Sequence, residues 1–401
     1  MKILMITSGT PNSSLAHRTI ALGRELVRRG HCVSLIAPHL DRHSDWRVDN
    51  PPTIDGIVIH YPYQLRTHNY WLNLAPYFLT ATIAVLRQSP DIVYISKPTP
   101  ATVMAGMLKW FKQTPIVVDL DDLGSEVMRR EGRSAAAWRL VAACERFTEK
   151  QATALVVVSR LLEHELTSRF RGDKRVVRIP NGVDPREFTP TSPKPGRRPR
   201  LIFFGVLSQP NIVGAVLAAL PDVIRRVGSD AVQLDILGDG PTRAGLEHQA
   251  DELGLAGNVH FRGWVTFQQL HHHVAVGDIG LCVVPDERSV AAASNQKLFQ
   301  YQALELAPVV TAVGDLPEYV DGGEAGVVVP AGDSDALAEV LAELLTNSQR
   351  RRRLARQARA VAETRYTWSA QASALEQVFE EVIVGPKPNP QGAQPAENHV
   401  P

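Results

Sequence analysis

What most constrains the fold of this chain is its alternation, from the first residues onward, of short β-branched apolar runs with stretches of helical periodicity. Residues 2–7 read as a strand. Residues 15–30 carry Leu15, Ile20, Leu22, Leu26 and Val27 at helical spacing, and Gly30 ends that helix before a second strand at 32–37. Further strands are predicted at 57–60, 92–95, 116–120 and 154–158. Strands apolar on both faces and separated by helices specify a parallel sheet covered on both sides.

Residues 191–199 (TSPKPGRRP) break the rhythm with proline and charge and no apolar period, as an interdomain linker does. The alternation then restarts, with strands expected at 201–204, 233–237, 259–261, 279–284, 309–311 and 326–329 and a helix through 217–227. A length of 401 residues suits two such α/β domains with a cleft between them. The tail, 385–401, has five prolines and no apolar rhythm, and reads as disordered.

Charge and cysteine content narrow the function. Against 43 Lys+Arg stand 42 Asp+Glu, a net +1 that argues against a dedicated nucleic-acid binder. The balance hides an asymmetry: residues 1–188 hold 25 basic and 18 acidic side chains, or +7, and the remainder 18 and 24, or −6. Cys32, Cys144 and Cys282 are too widely spaced for a disulfide scaffold or a cysteine zinc site and suit a reducing, cytoplasmic setting. Residues 1–7 are too short for a signal-peptide core. The longest apolar stretch, 70–86, contains Asn73 and Pro76 and falls short of the about 20 clean residues that span a bilayer. Two readings fit it: a buried helix with an aromatic end, or a helix touching a membrane surface from the inner face.

Several short motifs are turns by their own chemistry. Residues 8–14 (SGTPNSS) lie between first strand and first helix, where ligands of such sheets bind and free helix-start amides favour an anion. Neither GxGxxG nor GxxxxGK[ST] is present, so no dinucleotide or P-loop site is supported, and a plain loop fits equally. Gly238-Asp239-Gly240-Pro241 reads as a tight turn and a Pro-initiated helix, Asn181-Gly182-Val183-Asp184 as a turn. His271, His272 and His273, consecutive on a helix, point about 100° apart and cannot chelate one ion, so no metal site is expected there. Asp119, Asp121 and Asp122 close an apolar strand, as a ligand-binding or catalytic cluster or as the cap of the next helix.

Longer segments occur in a fixed order: LGRELVRRGHCVSLIAP (22–38), VVVSRLLEHEL (156–166), IPNGVDPREFTP (179–190), LIFFGVLS (201–208) and DILGDGPTRAGLEHQADELGLAGNVHFRGWV (235–265). KLFQYQAL (297–304), PVVTAVGDLPEYV (308–320), EAGVVVPAGDSDALAEVLAELL (324–345) and RYTWSAQASALEQVFEEV (365–382) follow. In these the chain resembles the family-4 (group 1) glycosyltransferases of GT-B fold over about residues 1–384. The resemblance implies an acceptor-side Rossmann-like domain at 1–190, a nucleotide-sugar domain at 200–367, and a closing helix, 368–384, that packs back on the first. It implies transfer from a nucleotide sugar to a glycan, lipid-linked or small-molecule acceptor, with retention and with no metal or covalent cofactor. The matching donor positions are Gly205, Val206, Asn211, Gly238, Trp264, Val265, Ser294, Asn295, Gln296, Leu298 and Gln300; the acceptor-side loop holds Gly9, Ser13 and Ser14; Asp121, Asp122 and Lys297 are the catalytic candidates.

The chain departs from the family pattern where charge is usual. The Arg and Lys that clamp the donor diphosphate are replaced by Val206 and Asn211, the paired glutamates by Ala292 and Gln300, the first-loop Gly-Gly by Ser13-Ser14, and the His by Asp121. Glu305 stands where a glycine precedes PVV, with one residue inserted. Lys297 belongs to a subgroup pattern, PxKxFE, and is the named replacement cation. The leading reading is an active transferase with an atypical donor site. Its alternatives are a non-catalytic GT-B protein that binds a sugar nucleotide or glycan or partners an active transferase, and another GT-B enzyme such as an epimerase or phosphorylase.

Overall fold

Strands without a polar face must be buried on both sides, and the chain arranges this twice. The computed structural model describes residues 1–11, 13–38, 52–61, 74–98, 113–191, 197–208 and 210–384. The first sheet comprises β1 (Lys2–Ile6), β2 (Cys32–Ile36), β3 (Thr53–Ile54), β4 (Ile57–His60), β5 (Ile92–Ser96), β6 (Ile116–Leu120), β7 (Ala154–Val157) and β8 (Arg175–Arg178). Its order is β3-β4-β2-β1-β5-β6-β7-β8, parallel except for the β3–β4 hairpin. The second comprises β9 (Leu201–Phe204), β10 (Leu234–Leu237), β11 (Val259–Gly263), β12 (Ile279–Cys282), β13 (Ala307–Thr311) and β14 (Val327–Val329), all parallel in the order β11-β10-β9-β12-β13-β14. Each order reverses direction once, between β1 and β5 and between β9 and β12, and ligands of such sheets sit at these switch points.

The chain passes between the domains twice, and the passages are tied together. Val183 N–H donates to Tyr366 O at 2.8 Å and Trp368 N–H donates to Val183 O at 3.1 Å. A Cβ at Gly182 would lie 2.9 Å from Trp368 N, so only glycine lets the two backbones meet. The helix Trp368–Val384 then returns to the first domain and puts Trp368, Ala372, Leu375, Val378 and Phe379 into its core.

Four expectations need correction. Residues 53–54 form a strand because Asp55 (φ 51°) and Gly56 (φ 83°) make the tight turn that pairs β3 with β4. The edge strand β8 (RVVR) is charged at both ends and lacks the apolar signal of a central strand. Pro241 lies in the turn, and the next helix, Arg243–Glu252, begins after Thr242. The helix read through 217–227 starts at Pro210 and carries Pro221 inside it.

The second apolar reading is also resolved in part. Residues 74–86 belong to the helix Leu74–Gln88, in which Ala84 is buried and Leu79, Ile83 and Leu86 are exposed. No helix among the described residues is long and apolar enough to cross a membrane. Residues 70–73, 192–196 of the linker and the tail 385–401 lie outside the described residues.

Candidate active site

The second domain supplies a backbone cradle over a cation. Gly205 N–H donates to Leu237 O at 3.0 Å, Leu207 N–H to Asp239 O at 2.9 Å, and Gly238 N–H to Gly263 O at 2.8 Å. The loops after β9, β10 and β11 therefore lie backbone to backbone. At Gly238, with φ 153°, a Cβ would fall 1.9 Å from Gly205 O. Beneath Gly205 lies Lys297, its Nζ 4.6 Å from the centroid of the Phe203 ring and 3.1 Å from where a Gly205 Cβ would stand. Among the described residues this ammonium makes no hydrogen bond and no ion pair. Burial lowers its pKa. Burial also pushes the neighbouring Cys282 thiol up to about 11, with Lys297 pulling the other way. A half-buried cation without a counter-ion carries a cost, and an anion over the cradle would offset it.

The other donor candidates divide by what they touch. Val206 and Trp264, 58% and 68% exposed, flank the cradle, and Val265 packs on the core beneath. The helix Gln296–Ala303 follows Asn295 with no side-chain cap, which leaves its first amides free. Gln300 is buried. The Leu298 side chain is fully buried in the core beneath. Ser294 is committed elsewhere, its hydroxyl accepting from Asn181 N–H at 3.1 Å and its carbonyl from Asn181 Nδ2 at 2.8 Å. Asn211 falls in the first turn of Pro210–Val227, its side chain outside the described ones.

The first domain faces this cradle with a mixed-charge cluster at the ends of β5 and β6. Lys97 Nζ lies 3.3 Å from Asp121 and 2.9 Å from Asp122. Lys97 holds φ 54°, a conformation unusual for a side chain of its size and common at functional sites. Burial pushes the Asp121 carboxyl up to about 7; Lys97 opposes this while Asp122 and Asp119 add to it. Asp121 and Asp122 hold the Lys97 pKa above its ordinary value against burial. Asp121 Oδ1 is buried with no hydrogen-bond partner among the described residues. Asp119 points the other way, buried with Arg18 and accepting a hydrogen bond from Tyr94 Oη. In the first loop, Gly9 N–H donates to Thr7 Oγ1 and the Ser13 hydroxyl to Thr10 O. Ser13 gives the helix Ser14–Arg28 no side-chain cap; the Ser14 side chain lies outside the described ones.

Sequence reasoning did not single out Lys97, Arg18 or Arg243. Lys97 had one signal, its place just after a central strand. Arg243 lies 3.4 Å from a Cβ position at Gly263 and is held by Asp239 and Glu247. The domains touch beside these groups. Ala292, where the family carries a glutamate, is buried among Leu4, Ile6 and Leu120 of the first domain. Arg130 donates to Glu287 and Ser289, and Arg288 to Glu165. Arg178 donates to Asp315 at 3.0 Å and to Glu318 at 2.8 Å.

Two Rossmann-like domains whose strand ends meet across a cleft define the GT-B class. Sucrose-phosphate synthase from Thermosynechococcus elongatus has this fold, with a TM-score of 0.76 and 17% identity over 96% of this chain and 99% of that one. The model of Glycosyltransferase Family 4 matches residues 15–187, and that of Glycosyl transferases group 1 matches 198–347. The chain belongs to this glycosyltransferase family. A GDP-mannose-dependent alpha-(1-6)-phosphatidylinositol monomannoside mannosyltransferase of Mycolicibacterium smegmatis is 28% identical over 50% of this chain and 54% of its own length. A GDP-mannose-dependent monoacylated alpha-(1-6)-phosphatidylinositol monomannoside mannosyltransferase of Corynebacterium glutamicum is 24% identical over 82% of this chain and 85% of its own.

Proposed function

We propose that the chain transfers a sugar from a nucleotide-sugar donor to an acceptor hydroxyl with retention, in an atypical donor site that uses Lys297 in place of the usual cations. The observation that carries this reading is the unpaired Lys297 ammonium beneath the Gly205–Gly238 cradle. Negative charge grows on the diphosphate as the bond to the sugar breaks. A cation and free helix-start amides already in place stabilise that charge without reorganising. Across the cleft, Asp122 held by Lys97 accepts hydrogen bonds from sugar or acceptor hydroxyls. Asp121, with a carboxyl near neutral pKa, is matched to proton exchange at that pH.

The two GDP-mannose-dependent relatives make GDP-mannose the first donor to test, and a phosphatidylinositol mannoside the first acceptor. A lipid-linked acceptor at the cytoplasmic membrane face fits the exposed Leu79, Ile83 and Leu86 and the +7 charge of residues 1–188. Thermal unfolding with GDP, UDP and ADP tests the donor half. One of them, at about 100 times its dissociation constant, should add about 2.7 kcal/mol of stability. Its sugar conjugate should then be turned over with acceptor. Stabilisation without turnover of any donor would favour the non-catalytic reading, and no stabilisation would remove both.

A further inference from the structure

One buried polar network joins the two halves of the site, and no residue at its centre has a catalytic assignment. Arg18, on the helix that follows the first loop, is 3% exposed, and Asp119, at the end of β6, is fully buried. The guanidinium donates to four residues at once. Nε donates to Asp119 Oδ2 at 2.7 Å and Nη2 to Asp119 Oδ1 at 3.3 Å. Nη2 also donates to Ile179 O at 2.8 Å, and Nη1 to Pro180 O at 3.0 Å and Asn181 Oδ1 at 3.2 Å. Those three residues begin the first passage between the domains. Asn181 continues the chain, since its N–H and Nδ2 donate to Ser294, two residues before the helix Gln296–Ala303 that carries Lys297 and Gln300.

A structural ion pair alone would need only Asp119. Forked donation to the passage segment 179–181, itself bonded to the donor-side loop, gives the guanidinium a second task. We propose that Arg18 is a positioning residue that holds the donor-side helix Gln296–Ala303 in register with the first domain's strand-end cluster, acting through Asn181 and Ser294. Asp119 anchors the arrangement two residues before Asp121, and the planar, permanently charged fork of arginine suits it where lysine would not. Calling that helix donor-side rests on the proposed function; the register between the two domains does not.

Amide hydrogen exchange on the full chain, without ligand, tests this. Arg18→Lys keeps a charge beside Asp119 but cannot make the fork. It should speed exchange across 294–300 by roughly ten- to hundredfold while 243–252, in the same domain, stays protected. Asn181→Ala leaves the Arg18–Asp119 pair whole and should give the same pattern, which covers the case in which the Arg18 variant does not fold. Ser294→Thr keeps the hydroxyl and should hold the wild-type protection that Ser294→Ala loses. Leu22→Ala, a core truncation beside Arg18, supplies the control: it should lower global stability without selectively exposing 294–300. The proposal falls if 294–300 is unchanged in Arg18→Lys or Asn181→Ala, or if Leu22→Ala reproduces their pattern. Because no turnover is read, an inactive protein would leave the result standing.

Discussion

Lys97, Asp121 and Asp122 form a cluster whose charge state depends on pH near neutrality. The Asp121 carboxyl sits at about 7, chiefly through burial, against an ordinary 3.8. Between these values the folded chain holds a proton that the unfolded chain has released. The corresponding stability is therefore complete below about pH 4 and lost as pH rises through 7. Asp121→Asn removes this dependence, so urea unfolding at pH 4.5 and 7.5 should show wild type losing stability relative to the variant. Equal differences at the two pH values would contradict the assignment. Glu305 offers a second residue-scale test. It occupies φ 58°, the left-handed region that favours glycine, where the family carries glycine. Glu305→Gly should stabilise the fold by roughly 0.5–1 kcal/mol in thermal unfolding.

At the scale of elements, the cradle depends on loops that touch through backbone. Gly238→Ala would drive a Cβ into Gly205 O and should cost at least about 2 kcal/mol of stability, read by denaturant unfolding. The helix Leu74–Gln88 presents Leu79, Ile83 and Leu86 at successive turns of one exposed side. Replacing Leu79 and Ile83 by serine should abolish co-flotation with anionic vesicles while leaving the unfolding midpoint in place. Central strands such as β5 and β6 were legible because each is apolar on both faces. The two-residue hairpin strand β3 and the edge strand β8, charged at both ends, were not, since neither carries the apolar run of a central strand. Arg18 gave no signal, and Lys97 only its place after a central strand, because their partners, Asp119, Asn181, Asp121 and Asp122, are brought to them by topology and not by spacing.

For the whole molecule, the two α/β halves and the linker between them follow from the alternation and its single break and the returning helix from the family resemblance, whereas the seating of one domain on the other depends on pairs between them. Arg178 with Asp315 and Glu318, and Arg288 with Glu165, are such pairs. The central claim is that a nucleoside diphosphate lies over Lys297 in the second domain. Calorimetric titration of GDP, UDP and ADP into wild type and Lys297→Met, with amide exchange of the bound state, tests it most directly. One nucleotide should bind wild type and bind the variant at least about tenfold more weakly, as loss of a charge-assisted contact requires. Protection should appear at 205–206, 238–240, 263–265 and 294–300. Equal affinity for the two proteins, or protection confined to the first domain, would contradict the account.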